Sequence, residues 1–461
     1  MLFSGITFLY FFLPIMALYF IIPKSWKNGF LLAVSLLFYF FGEPIYVSLL
    51  VFSSIVDWIH GLFIEAHRGE KCTKYALVSS VVINVALLGV FKYADFFIST
   101  INGILGANIP LTNISLPIGI SFFTFQTMSY TIDVYRGKAH AQKNFTSFMT
   151  YVCLFPQLIA GPIVRYTDVE KELKMRETSV SMVAEGIRRF SVGLGKKVLI
   201  ANLLGEICTN FQGADEKSVL FYWIYAIAFT MQIYFDFSGY SDMAIGLGKI
   251  FGFNFPENFN YPFISRSISE FWRRWHMTLG RWFRDYVYIP LGGNRVSKIK
   301  WVRNLAIVWL LTGFWHGAEW NFVLWGAVFG VLLALEKIFL GNIIEKSPKF
   351  IGYIYTLFFV VMSFVIFNAE GIGEVMENFK GMFGALDVPL SNDITLYNLR
   401  SYAVILAVAV LGSTPIPKKL WDSYKKGSAV ILEPLGTMII LLVATAFIIN
   451  GSFNPFLYFR F

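Results

Sequence analysis

Two histidines stand where imidazole chemistry could take place. His316 lies in Leu311-Thr312-Gly313-Phe314-Trp315-His316-Gly317-Ala318-Glu319-Trp320-Asn321, an otherwise apolar region with glycines and tryptophans about the imidazole. An ionisable group at membrane depth is costly and is by default a functional candidate. Neutral imidazole suits a general base because its pKa lies close to the operating pH. The residues alone allow a second reading, a core histidine satisfied by a neighbouring carbonyl. His276 sits among arginines in the segment 265–303. That segment carries Arg266, Arg273, Arg274, Arg281, Arg284, Arg295, Lys298, Lys300 and Arg303 against only Glu270 and Asp285, interleaved with Phe271, Trp272, Trp275, Trp282, Phe283, Tyr286 and Tyr288. Guanidinium groups grip phosphate and aromatic faces hold cations and rings. Arg273, Arg274, Arg281, Arg284, Trp275 and Trp282 would therefore suit a phosphorylated, ring-bearing donor such as a coenzyme. The plainer reading is an interfacial amphipathic helix with arginine at lipid headgroups and tryptophan in the aromatic belt. Gly292-Gly293-Asn294-Arg295 adds a backbone turn that side chains alone would not require.

Other chemistries find no support. There is no GxSxG elbow, no HExxH and no paired cysteine cluster, so no metal is expected. Gly193-Leu194-Gly195-Lys196-Lys197 resembles a phosphate-binding loop only superficially, lacking the upstream glycine and the hydroxyl after the lysine. Cys72, Cys153 and Cys208 lie in or beside apolar stretches and read as small buried thiols. His60, His67 and His140 border a span or lie in a basic loop, and read as snorkelling or headgroup-facing rings.

The elements that must position these residues follow from composition. Of 461 residues, 56% are hydrophobic and 15% charged. Soluble domains carry about 25% charged residues, so this chain cannot coat a water-facing surface. Mean hydropathy is +0.60. A disordered chain, a collagen-like fibre, a disulfide scaffold and a soluble nucleic-acid binder are excluded, and an all-α, multi-span membrane protein is expected. The net charge of +9 then reflects Lys and Arg held in cytoplasmic loops rather than nucleic-acid binding.

About 20 apolar residues cross the ~30 Å hydrocarbon layer. Crossings are expected near 3–22, 29–42, 45–64, 75–97, 115–134, 186–204, 218–236, 300–316, 320–340, 351–368, 399–413 and 429–449. The first of these reads as a retained span, for it lacks a basic leader and a small-residue cleavage site. Basic loops after the first, third and fifth spans, and before the sixth and last, belong inside; the acidic segment 369–398 belongs outside, as do both termini. The stretches 146–163 and 239–255 are then expected to dip into the membrane and return, broken by Pro156, Gly161, Pro162, Gly239, Gly246, Gly248 and Gly252. No internal repeat of the kind many transporters carry is evident.

Longer motifs give a resemblance. Glu270-Phe271-Trp272-Arg273-Arg274-Trp275-His276-Met277-Thr278-Leu279 and Trp282-Phe283-Arg284-Asp285-Tyr286-Val287-Tyr288-Ile289-Pro290-Leu291-Gly292-Gly293-Asn294-Arg295 resemble the membrane-bound O-acyltransferase family. The branch they resemble is that of the bacterial alginate O-acetyltransferases and their peptidoglycan and other polysaccharide relatives. Phe122–Tyr130, Phe155–Pro162 and Tyr234–Asp242 extend the likeness, which covers most of the chain. It implies a single domain over 1–461: a ring of transmembrane helices around a thinned centre, with re-entrant segments and a funnel from each face. In it, 265–303 would be a cytoplasmic-side segment and 450–461 an extracytoplasmic aromatic tail.

By the same resemblance His316 occupies the catalytic position and His276 a second polar position in the cytoplasmic funnel, with Trp315 and Asn321 as candidates to orient the site. The implied activity moves acetyl from a thioester, acetyl-CoA, to an extracytoplasmic polysaccharide across the bacterial cytoplasmic membrane. Acetyl-CoA would be a substrate, with no bound cofactor. Tyr458, in the aromatic tail, is a candidate acyl relay or else an interfacial anchor. A secreted or membrane-anchored esterase-like partner would take the group onward. Transfer of D-alanyl or longer acyl groups, or a transporter or flippase role, are the alternatives.

Overall fold

Lipid offers backbone N–H and C=O groups no partner, so a chain this apolar must bond them within its own segments. The computed structural model describes residues 3–451, 456 and 457, and its regular elements there are all helical. Among the described residues, six helices are long and apolar enough to cross a membrane: Val47–Ala66, Cys72–Leu105, Val219–Ile250, Trp320–Lys346, Lys349–Asn368 and Leu432–Asn450. A seventh is possible if Asp393–Ser401 and Ala403–Gly412, bent by 54°, act as one. The protein is thus an all-α, multi-pass membrane protein. Several of the apolar runs expected to cross fold, among the described residues, as shorter helices. Ile6–Ile21, Lys27–Phe40 and Ile120–Tyr135 hold 16, 14 and 16 residues, or about 21–24 Å at 1.5 Å per residue.

The chain packs as two compact units, one from the described residues of Met1–Phe190 with Ser241–Pro256, the other from those of Ser191–Tyr240 with Glu257–Phe461. In the first unit, α1 (Val47–Ala66), α2 (Cys72–Leu88, continuing through a π-turn to Leu105) and α3 (Ile120–Tyr135) meet along a polar seam. The buried Asp57 carboxylate accepts from Ser80 Oγ at 2.6 Å and Asn84 Nδ2 at 2.8 Å, and Thr127 donates to Asn84 Oδ1 at 3.2 Å. Such bonds hold helices together where lipid competes for every apolar contact.

The two expected dips differ. Residues 146–163 form two short helices, Phe145–Cys153 and Phe155–Leu158, and every residue from 148 to 166 is buried. Nine residues rise only about 14 Å, and Pro156 opens the second piece, as expected of a segment that does not cross. The expectation for 239–255 is corrected. Residues 239–250 continue α5 (Val219–Ile250) without a break, and only Gly252, at φ +85°, makes a turn. The glycines inside α5 serve close approach instead of interruption. Against α4 (Val180–Gly195), a Cβ on Gly246 would lie 2.6 Å from the Gly186 carbonyl, and one on Gly239 2.8 Å from that of Gly193.

In the second unit a helical hairpin sets the frame. The short helices α6 (Ile268–Arg274) and α7 (Met277–Phe283) precede α8 (Lys298–His316), which turns sharply into α9 (Trp320–Leu335); α10 (Lys349–Asn368) follows. A Cβ on Gly313 would collide with the Phe322 carbonyl, and one on Gly326 with that of Trp309, so α8 and α9 touch backbone to backbone. Trp272 of α6 wedges against this hairpin, its ring centroid 4.6 Å from Trp309, 5.0 Å from Phe329 and 5.6 Å from Trp325. The buried Glu336 carboxylate, just past α9, accepts the N–H groups of Ile268 (2.6 Å) and Ser269 (2.9 Å) and the Ser269 hydroxyl (2.6 Å), fastening the start of α6.

Because no side chain fits between α8 and α9, Gly326→Val should destabilise the protein by about 1–3 kcal/mol through overpacking. A lowered thermal midpoint of the detergent-purified protein would show it; an unchanged midpoint would mean the hairpin can open without penalty.

Candidate active site

His316 is the last residue of α8, where the glycine contact three residues earlier brings the helix end against α9. Its ring is 5% exposed, with Trp325 at 4.9 Å, Trp315 at 5.0 Å and Phe367 at 5.6 Å between ring centroids. Nδ1 lies 2.7 Å from the Thr312 carbonyl. A carbonyl can only accept, so Nδ1 carries the hydrogen and the neutral ring presents its lone pair at Nε2. The neighbouring carbonyl that a purely structural role would need is therefore present, at Nδ1.

His276 is held differently. It caps α7 with φ +43° and ψ +51°, a left-handed conformation uncommon for a residue with a side chain. Asn258 enforces it. Its backbone carbonyl accepts the Met277 N–H at 2.9 Å, and its Oδ1 accepts the Thr278 N–H at 3.3 Å and the Thr278 hydroxyl at 2.9 Å. A backbone N–H can only donate, which identifies the atom it meets as the amide oxygen. His276 Nδ1, 3.2 Å from the same Oδ1, must then be the protonated nitrogen. The two histidines thus adopt the same tautomer when neutral. Their centroids lie 6.4 Å apart with the rings near perpendicular, and Trp315 contacts both, 5.9 Å from His276.

His276 and His316, 40 positions apart in the sequence, are thus two buried histidines brought together on separate helix ends with matching tautomers. Residues 88–373 match the membrane-bound O-acyltransferase family. The chain belongs to that family. It is similar to a probable alginate O-acetylase of Azotobacter vinelandii, at 38% identity over the whole of both chains. A peptidoglycan O-acetyltransferase of Helicobacter pylori is 32% identical over all of this chain and 98% of its own. A teichoic acid D-alanyltransferase of Bacillus subtilis is 29% identical over 57% of this chain and 71% of its own. The protein is accordingly a membrane O-acyltransferase.

The other sequence candidates fall into distinct settings. Asn321 is buried at the start of α9, and its Nδ2 donates to the carbonyls of Ala369 (2.6 Å) and Phe367 (3.4 Å), tying α9 to the end of α10 beside His316. Trp275 is packed among Phe259, Phe271 and Phe364, and Trp282 against Phe283 and Tyr286, so both rings are engaged with protein. Arg274 is committed to Glu270 at 3.0 Å and to the Asn260 carbonyl at 3.2 Å. Partial burial works against ionisation of Glu270, but the Arg266 N–H and the Arg274 guanidinium outweigh it and hold the carboxyl below its usual range. Arg284 pairs with Asp285 at 2.7 Å and remains exposed, Arg273 is exposed, and Arg281 is half-buried. The glycine turn is real: Gly292 and Gly293 have φ of +100° and +57°, and Asn304 clamps it by donating to the carbonyls of Leu291 and Gly293. Tyr458 lies outside the described residues.

Sequence reading missed Asn258, which carries no motif and precedes His276 by 18 positions. Asn258→Ala should release His276 from its strained geometry and reduce turnover at least ~10-fold, the scale of lost catalytic positioning. Acyl-transfer rates of purified protein at equal abundance would measure it; wild-type rates would show that His276 needs no such support.

Proposed function

We propose that this protein takes an acetyl group from acetyl-CoA on the cytoplasmic side of a bacterial cytoplasmic membrane and passes it outward for O-acetylation of an envelope or exported polysaccharide. The observation that carries the proposal is the Nδ1–H tautomer of His316, set by the Thr312 carbonyl, which leaves Nε2 as a base. The full-length similarity to alginate and peptidoglycan O-acetyltransferases supports acetyl and polysaccharide. The resemblance to D-alanyltransferases covers only about half of the chain, and this supports acetyl over D-alanyl transfer.

In the reaction, His316 Nε2 takes the proton of an acceptor hydroxyl as its oxygen attacks the thioester carbonyl. The new O–C bond forms and a tetrahedral oxyanion results. Its collapse breaks the C–S bond, and the thiolate leaves with the proton returned by the imidazolium. His276, with a lone pair at Nε2 when neutral, accepts a hydrogen bond from an N–H or O–H of the donor; contact with the oxyanion would require it to be protonated. Exposed Arg273 and Arg284, with Arg281, meet the donor's phosphates. Trp315 and Asn321 orient the base.

The acceptor hydroxyl is assigned to Tyr458 of the C-terminal tail, which hands acetyl to an esterase-like partner, secreted or membrane-anchored, that loads it onto sugar hydroxyls. An aryl ester is more activated than an alkyl ester, which suits a relay. The described part of the tail supports this. The Leu457 N–H donates to Asp236 Oδ2 at 2.8 Å, and Phe456 is buried against Tyr240 with the Lys197 ammonium 4.7 Å from its ring centroid. Leu457 is thereby held against the protein, which supports a relay over a lipid anchor for the tail. The topology in which both termini lie outside belongs to the same proposal.

His316→Ala should abolish release of coenzyme A from labelled acetyl-CoA while leaving membrane insertion intact; retained polysaccharide acetylation in cells carrying it would remove His316 from the mechanism. Tyr458→Phe, which deletes one oxygen and keeps the ring, should eliminate a base-labile acetyl adduct on the protein by mass spectrometry. Undiminished transfer by that variant would return the tail to an anchoring role. The same assay run with a D-alanyl thioester separates the two donors.

A further inference from the structure

Acyl transfer needs a hydrogen-bond donor for the oxygen that becomes negative, and neither histidine in its neutral form offers one at Nε2. A donor is present on α9. Trp325 is 1% exposed, its ring is 4.9 Å from that of His316, and its indole Nε1–H meets no acceptor among the described residues. Asn321, one helical turn earlier on the same face, is 0% exposed, and its Oδ1 likewise meets no donor among the described residues while its Nδ2 is doubly engaged. Buried polar atoms are nearly always paired, and those that are not call for an explanation. Here an unused donor and an unused acceptor lie one helical turn apart on α9, the donor's ring against His316, a pattern that fits a ligand carrying both a carbonyl oxygen and an N–H or O–H.

We propose that the Trp325 indole N–H donates to the acyl carbonyl oxygen of the thioester and stabilises the oxyanion formed when the hydroxyl attacks. The proposal rests on the acyl-transfer reading of His316 and assigns that reaction its electrophilic residue. Rings in contact at this distance allow one carbonyl group to lie against both, its carbon toward the nucleophile that His316 deprotonates and its oxygen toward the indole. Trp325 is fixed for the task. It packs edge-on against Trp272, Phe329 and Phe367, and the Gly313–Gly326 contact beside it locks α9 to α8. Trp272 also has an indole N–H without an acceptor among the described residues, but its ring contacts are with Phe271, Trp309, Trp325 and Phe329, away from the histidines.

The test is Trp325→Phe in the full-length purified protein, with acetyl-CoA as the probe and Trp272→Phe as a packing control. Phenylalanine keeps an aromatic ring and removes the N–H. Loss of one oxyanion donor reduces kcat by about 10²–10³-fold, so Trp325→Phe should show that loss with an unchanged KM and an unchanged thermal midpoint, while Trp272→Phe retains turnover. An unchanged kcat, a rise in KM alone, or an equal loss in Trp272→Phe with a lowered midpoint would each overturn the assignment. His316→Ala distinguishes the two levels. If it is inactive while Trp325→Phe is fully active, only the oxyanion role fails; if it is active, the acyl-transfer reading fails with it.

Discussion

The backbone contact between α8 and α9 is the constraint on which the positions of His316, Asn321 and Trp325 depend. Gly313 and Gly326 let the two helices touch through their main chains, and this fixes where the end of α8 lies relative to the first turns of α9. His316 terminates one helix; Asn321 and Trp325 open the other. Apolar burial gives helices little reason to associate in lipid, so close packing of small residues must supply the attraction. The same contact that holds the hairpin together therefore sets the spacing between imidazole, amide and indole. Gly317 completes the arrangement, since a Cβ there would collide with the Phe322 ring.

Upon this frame the protein fixes protonation by geometry. Thr312 and Asn258 come from different parts of the chain and use different groups, a helical carbonyl and a side-chain amide, yet both leave a histidine with its hydrogen on Nδ1. A bond to the i−4 carbonyl is available to any histidine at a helix end, so His316 needed only to be placed last in α8. His276 required a longer construction. Its left-handed backbone is a conformation that persists only when surrounding bonds determine it, and three of those bonds end on Asn258 beyond the imidazole contact itself.

Much of this was legible in sequence, and the omissions have physical causes. His316 stood out because a lone ionisable side chain in an apolar run has few reasons to be there, and the all-helical, membrane-bound character followed from composition. Glycine was the ambiguous letter. In 239–255 it suggests a break, whereas Gly239 and Gly246 are where α4 meets α5 within continuous helix; at Gly292 and Gly293 the expected turn is present. Glycine permits both a left-handed turn and a close approach, and only the partner helix decides between them. Span counting exceeded the helices long enough to cross because hydropathy registers apolar length but not where a helix ends. Asn258 and Trp325 were invisible for another reason: their significance lies in which atoms they leave bonded or unbonded, a property of three-dimensional neighbours.

The Lys197–Asp236 pair shows the same logic applied to a charge. Both side chains are almost wholly buried, at 2.5 Å from one another. Desolvating two ions commonly outweighs their mutual attraction, so such a pair is weak as a stabilising device unless its remaining lone pairs and protons are satisfied. Here the tail contributes to that satisfaction. Asp236 Oδ2 accepts the Leu457 N–H, and the Phe456 ring presents its face to the ammonium. Removing the tail would leave the carboxylate one donor short in a site that water does not readily reach. The pair is thus better understood as a seat for Phe456 and Leu457 than as a brace between helices, since a brace of equal strength could be built from apolar side chains at lower cost. What it secures is the position of Phe456 and Leu457, apolar side chains that, without charge to hold them, would partition into the surrounding lipid as readily as into the protein.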